Sequence, residues 1–236
     1  MGVSERGIGD RILTFVGLVF GLIVATSLLP LSALAHVGVV WQSVGGASFV
    51  LVYAALGWLV YRLLRKEGIR LRPLPARRFG YVIGVWLILL VLSVSITALN
   101  AHLTGTVSSE NQAAVDQFLV HLSPAMITMV IYGTLLAPVV EEMIFRGIVM
   151  RYFFQKSWWW ANVVLSGVLF AWPHMGFMLP TDLANGLNFL LYASMGMVLA
   201  YVYKTTGNLT YSIAIHALNN GVTMVPILLL ALQRGY

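Results

Sequence analysis

Residues 81–99 read YVIGVWLILLVLSVSITAL, nineteen residues without a single charge. At about 1.5 Å of rise per residue, such a helix is about 30 Å long, the thickness of a bilayer's hydrocarbon core. The apolar residues are continuous rather than alternating, which excludes a strand of a membrane barrel. Six further runs share this character: Ile12–Leu34, Ala47–Leu64, Ala125–Val149, Trp159–Trp172, Leu187–Tyr203 and Leu209–Leu232. Trp159–Trp172 is short unless it continues through Pro173 towards Phe177. The expected fold is therefore all-α, a polytopic transmembrane helical bundle of about seven spans. It forms one integral-membrane domain over 1–236, with three spans and an outer loop in 1–123 and the remaining helices in 124–236.

Composition agrees. Hydrophobic residues make up 59% of the chain and charged residues only 9%, against roughly 25% charged in a soluble domain. Soluble, disordered and disulfide-stapled classes are excluded, and the absence of cysteine removes thiol chemistry and cysteine metal cages. The net charge of +6 follows from topology. With the amino terminus inside, thirteen of the fourteen basic residues fall in inner segments, and only Arg234 lies outside. The cluster Arg62–Arg78 thus fixes orientation, and no nucleic-acid partner is expected. The first span has Arg6 and Arg11 before it and Ala33-Leu34-Ala35 after it, like a signal peptide. Its apolar stretch exceeds a signal core of 7–15 residues, so it reads as a retained helix. Glu110–Leu122, within the polar loop Asn100–Ser123, is a candidate interfacial helix. Gly17/Gly21 and Gly80/Gly84 read as helix-packing pairs, and Trp158, Trp159 and Trp160 as an interfacial belt.

Ionisable groups inside a span are costly and mark function. Here they concentrate in the later helices: Glu141, Glu142 and Arg146 in the fourth span, His174 at the end of the fifth, His216 with Asn219 and Asn220 in the seventh. On a regular α-helix Glu142 and Arg146 share a face and can pair, whereas Glu141 points about 100° away. Phe170 and His174, and His216 and Asn220, are also i and i+4. A hairpin turning near residues 157–158 puts Glu141 and His174 at equal depth, about 25 Å from the turn, with His216 shallower. Pro138 and Pro173 can bend the helices beside the two groups. His36, His102 and His121 fall in or beside loops and receive no role.

A carboxylate beside a neutral imidazole can hold and deprotonate a water, while a second imidazole and an amide can donate to an oxyanion. That set suffices for peptide-bond hydrolysis without a covalent intermediate. The same Glu141, His174 and His216 could instead ligate zinc as a His₂Glu set. No HExxH helix is present. The aspartates, Asp10, Asp116 and Asp182, fall outside the spans, which excludes an aspartyl dyad. Gly46-Ala47-Ser48 is only a bare GxS triplet.

Glu141-Glu142-Met143-Ile144-Phe145-Arg146 has the form EExxxR, Phe170-Ala171-Trp172-Pro173-His174 the form FxxxH, and His216-Ala217-Leu218-Asn219-Asn220 the form HxxxN. In this order they resemble the CAAX-protease and bacteriocin-processing (Abi) family of intramembrane proteases over about Pro138–Asn220. The resemblance implies catalytic roles for four residues: Glu141 as general base, His174 as its helper, His216 and Asn220 as oxyanion donors. Glu142, Arg146 and Phe170 would support them. It implies a peptide or protein substrate, lipidated or not, in a membrane that the short loops suggest is a bacterial plasma membrane. No cofactor is favoured, because an asparagine beside His216 suits an oxyanion hole better than a metal shell; zinc is the alternative. Two other classes compete. A non-catalytic immunity or scaffold protein could use the same fold. An ion-coupled carrier would need repeated halves with broken helices, whereas the polar residues here keep to the C-terminal half.

Overall fold

The computed structural model describes residues 7–34, 36–154, 156 and 160–234, and among them all regular structure is helical. The helices are α1 (Ile8–Thr26), α2 (Val39–Lys66), α3 (Phe79–Thr104), α4 (Glu110–Phe118), α5 (Pro124–Tyr152), α6 (Ala161–His174), α7 (Leu183–Thr206) and α8 (Leu209–Arg234). Six are long and apolar enough to cross a membrane: α1 with the 3₁₀ turn that carries it to Ala33, α2, α3 with the 3₁₀ turn before it, α5, α7 and α8. The chain is an integral membrane protein of helical type. The remaining expected span is α6, with 14 residues, about 21 Å of helix. It reaches His174 with Pro173 inside its last turn. Within the segment Glu110–Leu122 the helix is α4, which ends at Phe118.

Boundaries differ where capping decides them. The α1 helix starts at Ile8 and takes exposed Asp10 into its first turn, where a carboxylate complements the helix dipole. The expectation that every aspartate lies outside the spans is corrected there. Ser123 begins α5 by accepting from Met126 N–H at 3.2 Å, with Pro124 behind it. Asp182 does the same for α7 through Asn185 N–H at 2.8 Å. Gln155, Ser157, Trp158, Trp159 and Ala35 lie outside the described residues, so two of the three belt tryptophans and the expected hairpin turn do too.

The chain divides into two compact units, interleaved in sequence. One comprises Met1–Arg70, Val115–Ile144 and Asn220–Tyr236, the other Leu71–Ala114 and Phe145–Asn219. In the first, α2 packs along α5 through glycines. A Cβ on Gly57 would lie 3.0 Å from Val140 Cγ2, and one on Gly46 would collide with Thr128 Oγ1. Gly46 of the GxS triplet is thus a packing residue, and Ser48 is exposed. In the second unit, α3, α7 and α8 share a core of Val82, Leu89, Leu199, Val202, Tyr211 and Ile215. Asn100 and Asn188 hydrogen-bond across α3 and α7 at 3.1 Å. The close helix approach lies at Gly167 of α6 and Gly196 of α7, where a Cβ on Gly196 would stand 2.8 Å from Gly167 Cα. Gly17, Gly80 and Gly84 have open space where a Cβ would sit, so the expected GxxxG contacts form only at Gly21, beside Leu56.

Candidate active site

The α5 helix is not a regular α-helix. Tyr132–Leu136 and Met143–Val149 are π-helical, and between them lies one α segment, Ala137–Glu142. Pro138 accounts for the first. Its ring would clash with the carbonyl four residues back, and it has no N–H to give. Widening the turn, so that Ala137 N–H reaches Tyr132 O, removes the conflict. Such turns are rare and concentrate at functional sites. The segment between them carries Glu141 and Glu142. The regular i, i+4 geometry expected for Glu142 and Arg146 does not extend past Glu142, because the helix widens at Met143. The ruler of 1.5 Å per residue used for depth fails in the same segments.

In the first unit, Glu142 is fully buried, and Glu141 is half-buried with its Oε2 enclosed and without a hydrogen bond. Phe49 and Tyr53 of α2 and Tyr132 of α5 form an aromatic cluster. Phe49 lies 5.7 Å from Tyr53 and 5.3 Å from Tyr132, and the two tyrosine rings meet edge to face at 5.1 Å. Glu141 is near enough to act electrostatically on both tyrosines. The Tyr53 hydroxyl is buried without a well-formed hydrogen bond. Asn220 of α8 donates from Nδ2 to Gly133 O at 2.9 Å, which ties it to the first π turn.

In the second unit, Phe170 is a hub, 1% exposed. The Arg146 guanidinium lies over its face at 4.5 Å. The His174 ring is 4.5 Å away, tilted by 36°, and Phe145 and His216 meet it edge-on at 5.6 and 5.7 Å. The structure thus brings together four of the residues picked out by sequence, Arg146, Phe170, His174 and His216. Arg146 is wholly buried and donates from Nη2 to Gly196 O at 3.0 Å. A desolvated cation on an aromatic face contributes about 2 kcal/mol. The glycine pair of α6 and α7 lets the Gly196 backbone come this near, since a Cβ there would also meet Phe170 Cβ at 3.1 Å.

His174 is fixed by its own turn. Its Nδ1 bonds Phe170 O at 2.8 Å. A carbonyl only accepts, so Nδ1 carries the proton and the neutral ring has its lone pair on Nε2. Tyr192 of α7 stacks on the imidazole at 4.7 Å and 27°. Sequence reasoning passed over Tyr192, Tyr53 and Tyr132 because a tyrosine is neutral in a span and counts as apolar. It passed over Gly196 because the contact is made by a backbone carbonyl.

The two units divide the polar residues. Glu141, Glu142 and Asn220 belong to the first, Arg146, Phe170, His174 and His216 to the second. Neither unit holds three side chains of metal-ligand type gathered together, and no such group occurs among the described residues.

Residues 123–222 match the family "Type II CAAX prenyl endopeptidase Rce1-like". A curated relative from Bacillus subtilis (strain 168), named "Putative membrane peptidase YdiL", is 29% identical over 132 residues, which is 56% of this chain and 48% of the relative. The chain therefore spans about half the length of the curated relative it matches. No solved structure matches it.

Proposed function

As residues 123–222 match the CAAX prenyl endopeptidase family, we propose that the chain is a membrane-embedded endopeptidase of the CAAX-protease and bacteriocin-processing type, using a water activated by Glu141 and His174. The observation that carries this reading is the pair of acceptors. Glu141 presents an enclosed carboxylate oxygen without a hydrogen bond, and His174 is locked in the tautomer with its lone pair on Nε2. A water held by Glu141, with His174 as its helper, loses a proton to Glu141 as its oxygen adds to the peptide carbonyl carbon. His216 and Asn220 donate to the oxygen of the tetrahedral intermediate. The C–N bond then breaks, and the proton held by Glu141 passes to the leaving amine. Glu142 and Arg146 support the site.

The substrate is a peptide or protein presented in the membrane, CAAX-like or a peptide precursor. A bacterial plasma membrane, with the amino terminus on the cytoplasmic side, is the setting that fits the basic-residue distribution and the Bacillus relative. The test is cleavage of a fluorogenic peptide library, including a farnesylated CAAX peptide, by purified protein with and without a strong chelator. Chelator-resistant cleavage abolished by Glu141→Ala is expected. Retained cleavage in that variant overturns the reading. Cleavage lost to chelator and restored by zinc would replace it with a metalloprotease in which Glu141, His174 and His216 are the ligands.

A further inference from the structure

Two hydrogen bonds run from outside the hub to Tyr192. Its hydroxyl lies 2.6 Å from Ser109 Oγ and accepts from Asn111 Nδ2 at 3.3 Å. Ser109 is itself the amino-terminal cap of α4, accepting from Gln112 N–H at 3.1 Å. It is 7% exposed and Tyr192 8%. The start of α4 is thus wired to the ring that covers His174. The imidazole lies tilted against Phe170 at 4.5 Å and stacked on Tyr192 at 4.7 Å. The bond from Nδ1 to Phe170 O sets which nitrogen carries the proton. The Tyr192 stack restrains the tilt of the ring about that bond. The hydroxyl bonds in turn hold Tyr192, which on a helix would otherwise choose among rotamers.

We propose that Tyr192 is the positioning residue of His174, and that Ser109 and Asn111 at the start of α4 hold it in place, so that the loop before α4 sets the direction of the His174 Nε2 lone pair. This rests on the reading of His174 as part of the water-activating pair, and two measurements separate the two claims. One is carbethoxylation of His174 by diethyl pyrocarbonate, followed by mass spectrometry, which needs no turnover. The other is the pH profile of kcat and KM on a peptide the wild type cleaves.

Tyr192→Leu removes the stack. We expect faster His174 carbethoxylation and a fall in kcat of about a hundredfold, the effect of a misaligned catalytic group, with KM little changed. Tyr192→Phe keeps the ring and loses only the tether. We expect about a fivefold loss in kcat, the scale of one hydrogen bond, and near-wild-type carbethoxylation. Ser109→Ala loses the tether and the helix cap together. If the tether acts through Tyr192, Ser109→Ala combined with Tyr192→Phe is no slower than the worse single variant.

Unchanged carbethoxylation and kcat in folded Tyr192→Leu overturn the proposal, as does strict additivity of the two tether variants. Should Tyr192→Leu fail to fold, Tyr192→Trp, which keeps an aromatic face, decides: near-wild-type carbethoxylation supports the stack, and a rate like that of unfolded chain overturns it. If the wild type cleaves nothing but carbethoxylation still depends on Tyr192, the protease reading falls and the clamp stands. If cleavage occurs and depends on Glu141 but not on Tyr192, the reverse holds.

Discussion

His174 of the second unit and Glu141 of the first sit in contrasting surroundings. In the second, Arg146 has a carbonyl at 3.0 Å and an aromatic face at 4.5 Å, and His174 has a carbonyl at 2.8 Å, a tilted ring and a stacked one. In the first, Glu141 Oε2 and the Tyr53 hydroxyl are enclosed without well-formed hydrogen bonds. An enclosed acceptor without a donor costs about 1–3 kcal/mol. On the proposed reading, the surroundings of His174 hold an imidazole still, whereas those of Glu141 leave a carboxylate oxygen to take a proton from bound water. Stability and activity should therefore separate between the units, and substitution can test the separation.

The largest expected effect is on turnover at Glu141. Glu141→Gln should cut cleavage by about a thousandfold or more, the scale of a lost general base. Its melting temperature should equal or exceed that of the wild type, since the carboxylate loses no good hydrogen bond. A clear drop in thermal stability would show that Glu141 is satisfied in the folded state, and the contrast between the units would collapse. Arg146→Ala is the counterpart in the second unit. It removes a stacked, hydrogen-bonded cation and leaves a cavity beside Phe170, which should cost about 3 kcal/mol. Arg146→Lys should recover only part of it, because an ammonium cannot lie flat on a ring. Thermal unfolding in detergent measures both.

Much of this was legible beforehand. The charge-free run 81–99 and its neighbours gave the spans, and the polar residues gave the candidate set, because a charge in lipid has few innocent uses. What stayed hidden depends on backbone geometry. Pro138 was read as a bend, but its consequence is a change of helix type over Tyr132–Leu136, and a second π segment, Met143–Val149, carries Arg146. The glycine motifs misled for a related reason. GxxxG identifies a helix face that could pack closely, but not whether a neighbour takes it up. Gly80 and Gly84 face open space, while Gly167 and Gly196, on different helices and in no sequence motif, make the close approach. Tyr192 lies eighteen residues after His174 and on another helix, so no periodicity links the two.

The glycines supply the next test. Gly196→Ala puts a Cβ 2.8 Å from Gly167 Cα, a contact with backbone that no rotamer relieves. It should destabilise by about 1–3 kcal/mol and, by displacing the Gly196 carbonyl, loosen Arg146. Gly84→Ala meets nothing within 4 Å and should be neutral or slightly stabilising, as alanine is the better helix former. Equal effects from the two would mean that the α6–α7 approach is not a specific contact.

The smallest effect is expected at Tyr53. Tyr53→Phe deletes a buried hydroxyl without a well-formed bond and keeps the edge-to-face contact with Tyr132 at 5.1 Å. Its stability should stay within about 0.5 kcal/mol of wild type, or rise, because no well-formed hydrogen bond is lost and an enclosed polar group is relieved. Turnover is the informative quantity. If the hydroxyl only fills space, kcat is unchanged and the aromatic cluster is a packing device along α2. If it donates to the water that Glu141 holds, kcat falls several-fold at constant stability, which would draw α2 into the chemistry although none of its residues carries a buried charge within the span.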